Sequence, residues 1–143
     1  MKAKVLFLCT GNYYRSRFAE LLFNHLAAQQ GAPWAAASRG LAIELGVNNV
    51  GPISPHAVAR LAAMDIALPA TLRFPQQVTE ADLQTATLTI ALDRTEHHPL
   101  MRERLPNWAE RIEYWHVADL HALTAAEALG QIEVAVKALL LHS

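Results

Sequence analysis

The sequence is poor in several things, and each shortage excludes something. It has one cysteine, Cys9, so no disulfide can close within the chain, and a reducing, cytoplasmic setting is expected. It has no excess of charge: 12 Lys and Arg stand against 13 Asp and Glu. Bulk charge therefore gives no reason to expect nucleic acid or an anionic membrane surface as a partner. No apolar stretch approaches the roughly 20 residues of a membrane span, so a soluble protein is expected. The apolar run 5–9 comes after Lys2 and Lys4 as a leader would. It is too short for one, however, and Gly11, Asn12 and Arg15 break its apolar character; it reads as a buried strand. Repeats, low-complexity tracts and long linkers are missing too. The length suits one domain over residues 1–143, and the sequence leaves the oligomeric state open.

What is present is a core. Hydrophobic residues make up 52% of the chain and charged residues 17%, the balance of a packed globular protein. Val5-Leu6-Phe7-Leu8 has the continuous apolar character of a central parallel strand covered on both faces. Phe18, Leu21, Leu22, His25 and Leu26 recur at helical spacing, predicting a helix over 16–30 that Gly31-Ala32-Pro33 ends. Residues 34–38 read as a second strand, 88–92 as a third and 112–117 as a fourth. Ser54-Pro55 opens a helix with a cap and a first-position proline. Thr79 with Asp82, Asp93 with Glu96, and Thr124 with Glu127 all have the spacing of helix starts. Strand and helix thus alternate. This predicts an α/β three-layer sandwich, a four-stranded parallel sheet flanked by helices with right-handed crossovers. Ligands in such sheets bind at the carboxyl ends of the strands. Cys9, Ser38, Asp93 and the loop from Ala118 should therefore share one rim.

The sharpest motif is Cys9-Thr10-Gly11-Asn12-Tyr13-Tyr14-Arg15-Ser16, between a buried strand and a helix. A thiol attacks phosphorus as the thiolate, a form favoured by a helix N-terminus, a cation and convergent amides. Five intervening residues let the backbone curl so that several N–H groups converge on one phosphate. Gly11 and Asn12 tolerate the left-handed backbone such a curl needs. Arg15 can hold two phosphate oxygens with its planar fork, and the Ser16 hydroxyl can donate to the sulfur. Residues 10–16 are thus the candidate phosphate-binding loop, with Cys9 as nucleophile. A lone cysteine ending a strand is usually an inert core residue; the arginine, serine and structural context weigh against that here.

The segment Val5-Leu6-Phe7-Leu8-Cys9-Thr10-Gly11-Asn12, with Arg15-Ser16 and Ala19-Glu20, resembles the low-molecular-weight protein tyrosine phosphatases. Ser38-Arg39-Gly40-Leu41, Ser54-Pro55-His56-Ala57 and Leu92-Asp93 extend the resemblance over most of the chain. It implies a phosphotyrosine protein phosphatase I-like fold, a phosphocysteine intermediate, a phosphoprotein substrate and no metal or other cofactor. The family carries its general acid in the loop after the fourth strand, which points to Asp119. The other aspartate on the rim, Asp93, reads as a helix cap with Glu96 completing a box. The chain departs from the family in several places. Leu120 and His121 come after Asp119 where proline is usual. Tyr14 replaces a second cysteine that can trap the oxidised nucleophile. Arg17 replaces a proline, and is either a contact to an anionic substrate or a surface charge. Tyr13 stands where threonine accompanies phosphoarginine activity and larger apolar residues accompany phosphotyrosine; its ring can stack on an aryl substrate. His97-His98 lacks a third ligand at metal spacing and reads as an exposed helix face. Trp34, Trp108 and Trp115 read as packing residues. Two other readings stay open: a phosphate-binding module with weak or no turnover, and an arsenate reductase-like thiol enzyme drawing on an external thiol.

Overall fold

A computed structural model describes residues 2–119 and 123–142; Leu120 and His121 lie outside the described residues. Four parallel strands, β1 (Ala3–Cys9), β2 (Trp34–Gly40), β3 (Leu88–Ala91) and β4 (Glu113–Tyr114), form one sheet in the order β2-β1-β3-β4. The helices are α1 (Arg15–Gln30), α2 (Pro55–Ala63), α3 (Glu80–Thr85), α4 (Arg94–Arg104) and α5 (Ala125–Leu141), with a 3₁₀ turn at Ile43–Gly46. This is the expected parallel sandwich. From β1 the chain goes first to β2 on one side, then to β3 on the other. The end of β1, occupied by Cys9, is therefore where the connections diverge and a crevice opens.

Val5, Leu6, Phe7 and Leu8 are fully buried because β1 is covered on both faces. Their side chains alternate between two cores, as strand geometry requires. Val5 and Phe7 pack with Phe18, Leu22, Leu61 and Ile132, from α1, α2 and α5. Leu6 and Leu8 pack with Leu83 of α3 and Met101 of α4. Trp115 lies against Phe7 at 5.6 Å between ring centroids, and Trp34 packs on the first core. Trp108 joins the second core, with the Arg111 guanidinium over its ring.

All four expected helix starts are present, α4 beginning directly after Asp93, and three of them carry the side-chain cap. Ser54 Oγ accepts from His56 N–H, Thr79 and Asp82 exchange reciprocal bonds, and Thr124 Oγ1 accepts from Glu127 N–H. The fourth strand is shorter than the predicted 112–117. Only Glu113–Tyr114 is regular strand, because Asp93 bridges His116 in antiparallel sense and breaks the ladder. The segment still runs along β3, with Trp115 N–H donating to Ala91 O and Val117 N–H to Leu92 O, both at 2.8 Å. At β2, Asn24 of α1 donates to Ala36 O at 3.0 Å and accepts from Ala36 N–H at 2.7 Å. Its amide thus fills backbone sites that an added strand would otherwise take.

Where β2 ends, Gly40 is pressed between two loops. A Cβ there would stand 2.5 Å from Ile43 Cγ2 and 3.0 Å from Thr10 O. The close approach lets Leu41 N–H reach Cys9 O and Ala42 N–H reach Thr10 O, both at 2.9 Å. β2 thereby grips the start of the Cys9–Ser16 loop.

Candidate active site

Cys9 ends β1 and α1 begins at Arg15, so the chain between must reverse in five residues. The left-handed residue that this requires is Asn12, at φ +52°. Of the two residues that tolerate left-handed angles, the curl uses Asn12, and Gly11 is not in the left-handed region. An asparagine can occupy this region when its side chain is bonded locally, and Asn12 is bonded on every side. Its Nδ2 donates to Ser16 Oγ at 2.8 Å and Ser38 Oγ at 2.9 Å. Its Oδ1 accepts from Arg73 Nη1 at 2.9 Å and Gln76 N–H at 3.1 Å. The amides of residues 11–14 donate to no acceptor among the described residues, which leaves a curl of N–H groups in need of an acceptor.

Cys9 is 3% exposed, and its Sγ lies 2.9 Å from Ser16 Oγ. With the sulfur ionised, the proton in that contact belongs to Ser16. Arg15 is buried on the same side. Its Nη1 donates to Val117 O at 2.8 Å and its Nη2 to Glu96 Oε2 at 2.7 Å; the other N–H groups of the fork remain for a ligand. Asp119 Oδ2 is 3.9 Å from Nη2. Burial disfavours the Arg15 charge, but the surrounding Cys9, Glu96 and Asp119 more than compensate and hold the guanidinium above its ordinary value.

Glu96 is the residue that sequence reasoning misassigns. Its spacing from Asp93 fits a capping box, yet Asp93 makes no side-chain cap bond. The Asp93 N–H donates instead to His97 Nδ1 at 3.0 Å. The Glu96 carboxylate turns to the loop and accepts from Arg15 Nη2 and Thr10 Oγ1. His97 Nε2 lies 3.1 Å away without good hydrogen-bond alignment. Burial pushes the Glu96 carboxyl up, but His97, Arg15 and Thr10 together outweigh it and hold it well below the usual carboxylate range. The reading of His97-His98 as an exposed face is corrected as well. His97 is fully buried behind the site because α4 packs that side inward, and His98 pairs with Glu110. Among the described residues no group of three His, Cys, Asp or Glu side chains could hold a metal.

Arg17 is neither a substrate contact nor a surface charge. It is 2% exposed, and its Nη1 donates to the carbonyls of Pro52 and Arg73 at 2.9 and 3.0 Å. Arg73, from a segment with no regular pattern, bonds Asn12, Ser38 and Glu20. Burial and then the neighbouring Arg73 lower the Arg17 value; burial foremost also lowers that of Arg73. Sequence offers no periodic signal for either role.

A cleft of about 220 Å³ opens over the loop, lined by Cys9, Tyr13, Tyr14, Arg15, Asn49 and Asp119 among others. Tyr13 donates its hydroxyl to Val50 O at 2.6 Å, which fixes its ring on one wall. Tyr14 is buried and stands edge-on to His56. The carboxyl of Asp119 is 41% exposed at the mouth. The structure thus brings Cys9, Thr10, Gly11, Tyr13, Tyr14, Arg15 and Asp119 to one cleft, keeps Asn12 and Ser16 fully buried behind it, and adds Glu96, Ser38 and Arg73 through their hydrogen bonds to Arg15 and Asn12.

The sequence model of the family described as low molecular weight phosphotyrosine protein phosphatase matches residues 4–140. The chain belongs to this family. This low molecular weight phosphatase is a cysteine-dependent phosphoric monoester hydrolase, and Cys9 is its only cysteine. The protein-arginine-phosphatase of Bacillus subtilis (strain 168) is 28% identical to it over 108 residues, 76% of this chain and 67% of the relative. Solved structures share its fold. A low molecular weight protein tyrosine phosphatase from T. tengcongensis superposes with a TM-score of 0.81 at 23% identity, over 99% of this chain and 100% of the other. Vibrio vulnificus Wzb, in complex with benzylphosphonate, gives 0.77 at 19% identity, over 97% of each chain.

Proposed function

We propose that the phosphatase acts, as a single domain in a reducing cytoplasm, on phosphotyrosine or a similar aryl phosphomonoester carried by a protein. The observation that carries this reading is the cleft itself, which Cys9, Thr10, Gly11, Tyr13, Tyr14, Arg15 and Asp119 line together. Cys9 attacks phosphorus, and an S–P bond forms as the P–O bond to the aryl group breaks. The amides of the phosphate-binding loop and Arg15 stabilise the equatorial oxygens. Asp119 protonates the departing oxygen, then takes a proton from the water that cleaves the phosphocysteine. Ser16 donates to the thiolate each time it is free. Glu96 keeps the Arg15 fork turned toward the phosphate. None of these steps calls on a cofactor.

The test is hydrolysis of a phosphotyrosine peptide by wild type, Cys9→Ser and Asp119→Asn, under reducing conditions. Cys9→Ser should abolish turnover, and Asp119→Asn should lower kcat by about 10²- to 10⁴-fold. Loss with Cys9→Ser but indifference to Asp119→Asn would move the acid elsewhere. An inactive wild type would favour a binding module.

A second reading has an observation of its own. Asp119 sets a half-exposed carboxylate in the cleft lining beside Arg15, which suits a substrate bearing a further cation. The curated relative is a protein-arginine-phosphatase. A phosphoarginine peptide assayed beside the phosphotyrosine peptide separates the two: a higher kcat/KM on phosphoarginine would replace the aryl reading.

A further inference from the structure

His97 carries a buried hydrogen beside the carboxylate that touches Arg15. The side chain is fully buried in the first turn of α4, next to Glu96 in sequence. One side of its ring is fixed: the Asp93 N–H donates to Nδ1 at 3.0 Å. Nδ1 spends its lone pair on that bond, so the ring hydrogen is carried on Nε2. Nε2 is buried too, and makes no aligned hydrogen bond among the described residues. The acceptor beside it is Glu96 Oε2, at 3.1 Å. That oxygen already takes Arg15 Nη2 at 2.7 Å and the Thr10 hydroxyl. With three donors crowding one atom, the third lies off line. The bond at Nδ1 alone would serve only to start the helix, and it does not call for a second ring nitrogen. A buried donor is nearly always paired in a folded protein, and here the one acceptor in reach belongs to the site.

We propose that His97 is a positioning residue for phosphate binding, acting through Glu96 to keep the Arg15 fork available to the ligand. This rests on the reading of Cys9–Ser16 as the phosphate-binding loop. Glu96 has two effects on that loop. It orients the guanidinium, but as an anion it also repels an incoming phosphate and competes with it for the Arg15 hydrogens. A donor on the far side of the carboxylate settles the competition. As Arg15 turns its hydrogens to the phosphate, Oε2 gives up part of its hold on Nη2, and the His97 N–H lines up in its place. The Asp93 bond keeps the ring from turning away. No proton changes owner in this step; the ring only donates.

The experiment is a double-mutant cycle of wild type, His97→Phe, Glu96→Ala and the two combined. It reads the Kd of inorganic phosphate by calorimetry and kcat/KM on phenyl phosphate. His97→Phe should weaken phosphate binding and lower kcat/KM, each by about five- to tenfold, the size of one hydrogen bond to a charged group. In the Glu96→Ala background the same change should matter by less than about twofold, because the group it acts through is gone. His97→Gln, which still offers a side-chain N–H, should recover most of the loss. An equal loss in both backgrounds, or no recovery with His97→Gln, would overturn the proposal and leave a structural histidine. Should His97→Phe fail to fold, nitrogen NMR of the wild-type imidazoles decides. The His97 hydrogen should sit on Nε2, and its signal should move when phosphate is added; a hydrogen on Nδ1, or an unmoved signal, would overturn the proposal. Binding of phosphate that follows this cycle without turnover would sink the phosphatase reading and uphold the role of His97. A wild type that binds no phosphate would sink both.

Discussion

Arg15 and Arg17 stand two residues apart on the first turn of α1, each 2% exposed, and their surroundings are opposite. The front face meets carboxylates: Arg15 touches Glu96 and feels Asp119 and Cys9, so its charge is held in place. The back face meets carbonyls and another cation: Arg17 donates to Pro52 and Arg73, and its charge is disfavoured. Burial alone therefore says little about what an arginine does. Paired carboxylates create a fixed positive fork that a phosphate can use. Carbonyl acceptors turn the same side chain into a tie between two loops, and a guanidinium serves there because it has donors to spare.

The contrast can be broken most forcefully at the front. Arg15→Lys keeps the charge but loses the fork, and kcat/KM should fall by about 10³-fold with little change in melting temperature. A loss under tenfold in steady-state kinetics would mean that charge, not geometry, is what the site uses. Glu96→Gln keeps an acceptor but removes its charge. The expected result is a drop in kcat/KM of about tenfold; an increase would reveal Glu96 as a competitor with phosphate for Arg15. On the back face, Arg17→Met should leave kcat/KM within about threefold. It should cost about 1–3 kcal/mol of stability in denaturant unfolding, through stranded carbonyls. Lost activity at unchanged stability would instead make Arg17 an electrostatic support for Cys9.

The smallest effect concerns pH. The Glu96 carboxyl lies well below its ordinary value of about 4.5 in the folded protein. Its ion pair therefore stabilises fully above that pH, and the contribution fades as pH falls through the acidic range toward the folded value. Urea titrations at stepped acidic pH should show wild type losing stability relative to Glu96→Gln. Parallel curves would mean that the carboxyl titrates normally.

The front face is the legible one. β1, the loop and α1 can be read from sequence because an apolar run, a turn signal and a helical period meet there, and chemistry constrains the spacing of cysteine and arginine. The same rules mislead at Glu96. Its distance from Asp93 is that of a capping box, but a box is one use of a carboxylate in the first turn, and a buried guanidinium nearby is a stronger partner. Arg73 gives no signal because 64–79 has little regular structure before α3, and its contacts to Asn12 and Glu20 span 61 and 53 residues. The role of Arg17 hinges on what covers α1, which is set by loops whose path no local pattern fixes. The fourth strand reads too long from sequence since its hydrogen bonds to β3 continue past the point where the antiparallel bridge interrupts them.

The bare α-carbon of Gly40 has a consequence for how this sequence can drift. Any side chain there would meet Ile43 and the carbonyl of Thr10, the residue next to the nucleophile. A survey of random variants scored for turnover should find position 40 about as intolerant as the nucleophile itself, although it lies 31 residues away and bears no reactive group. Much of the surrounding surface could change while that one hydrogen atom could not.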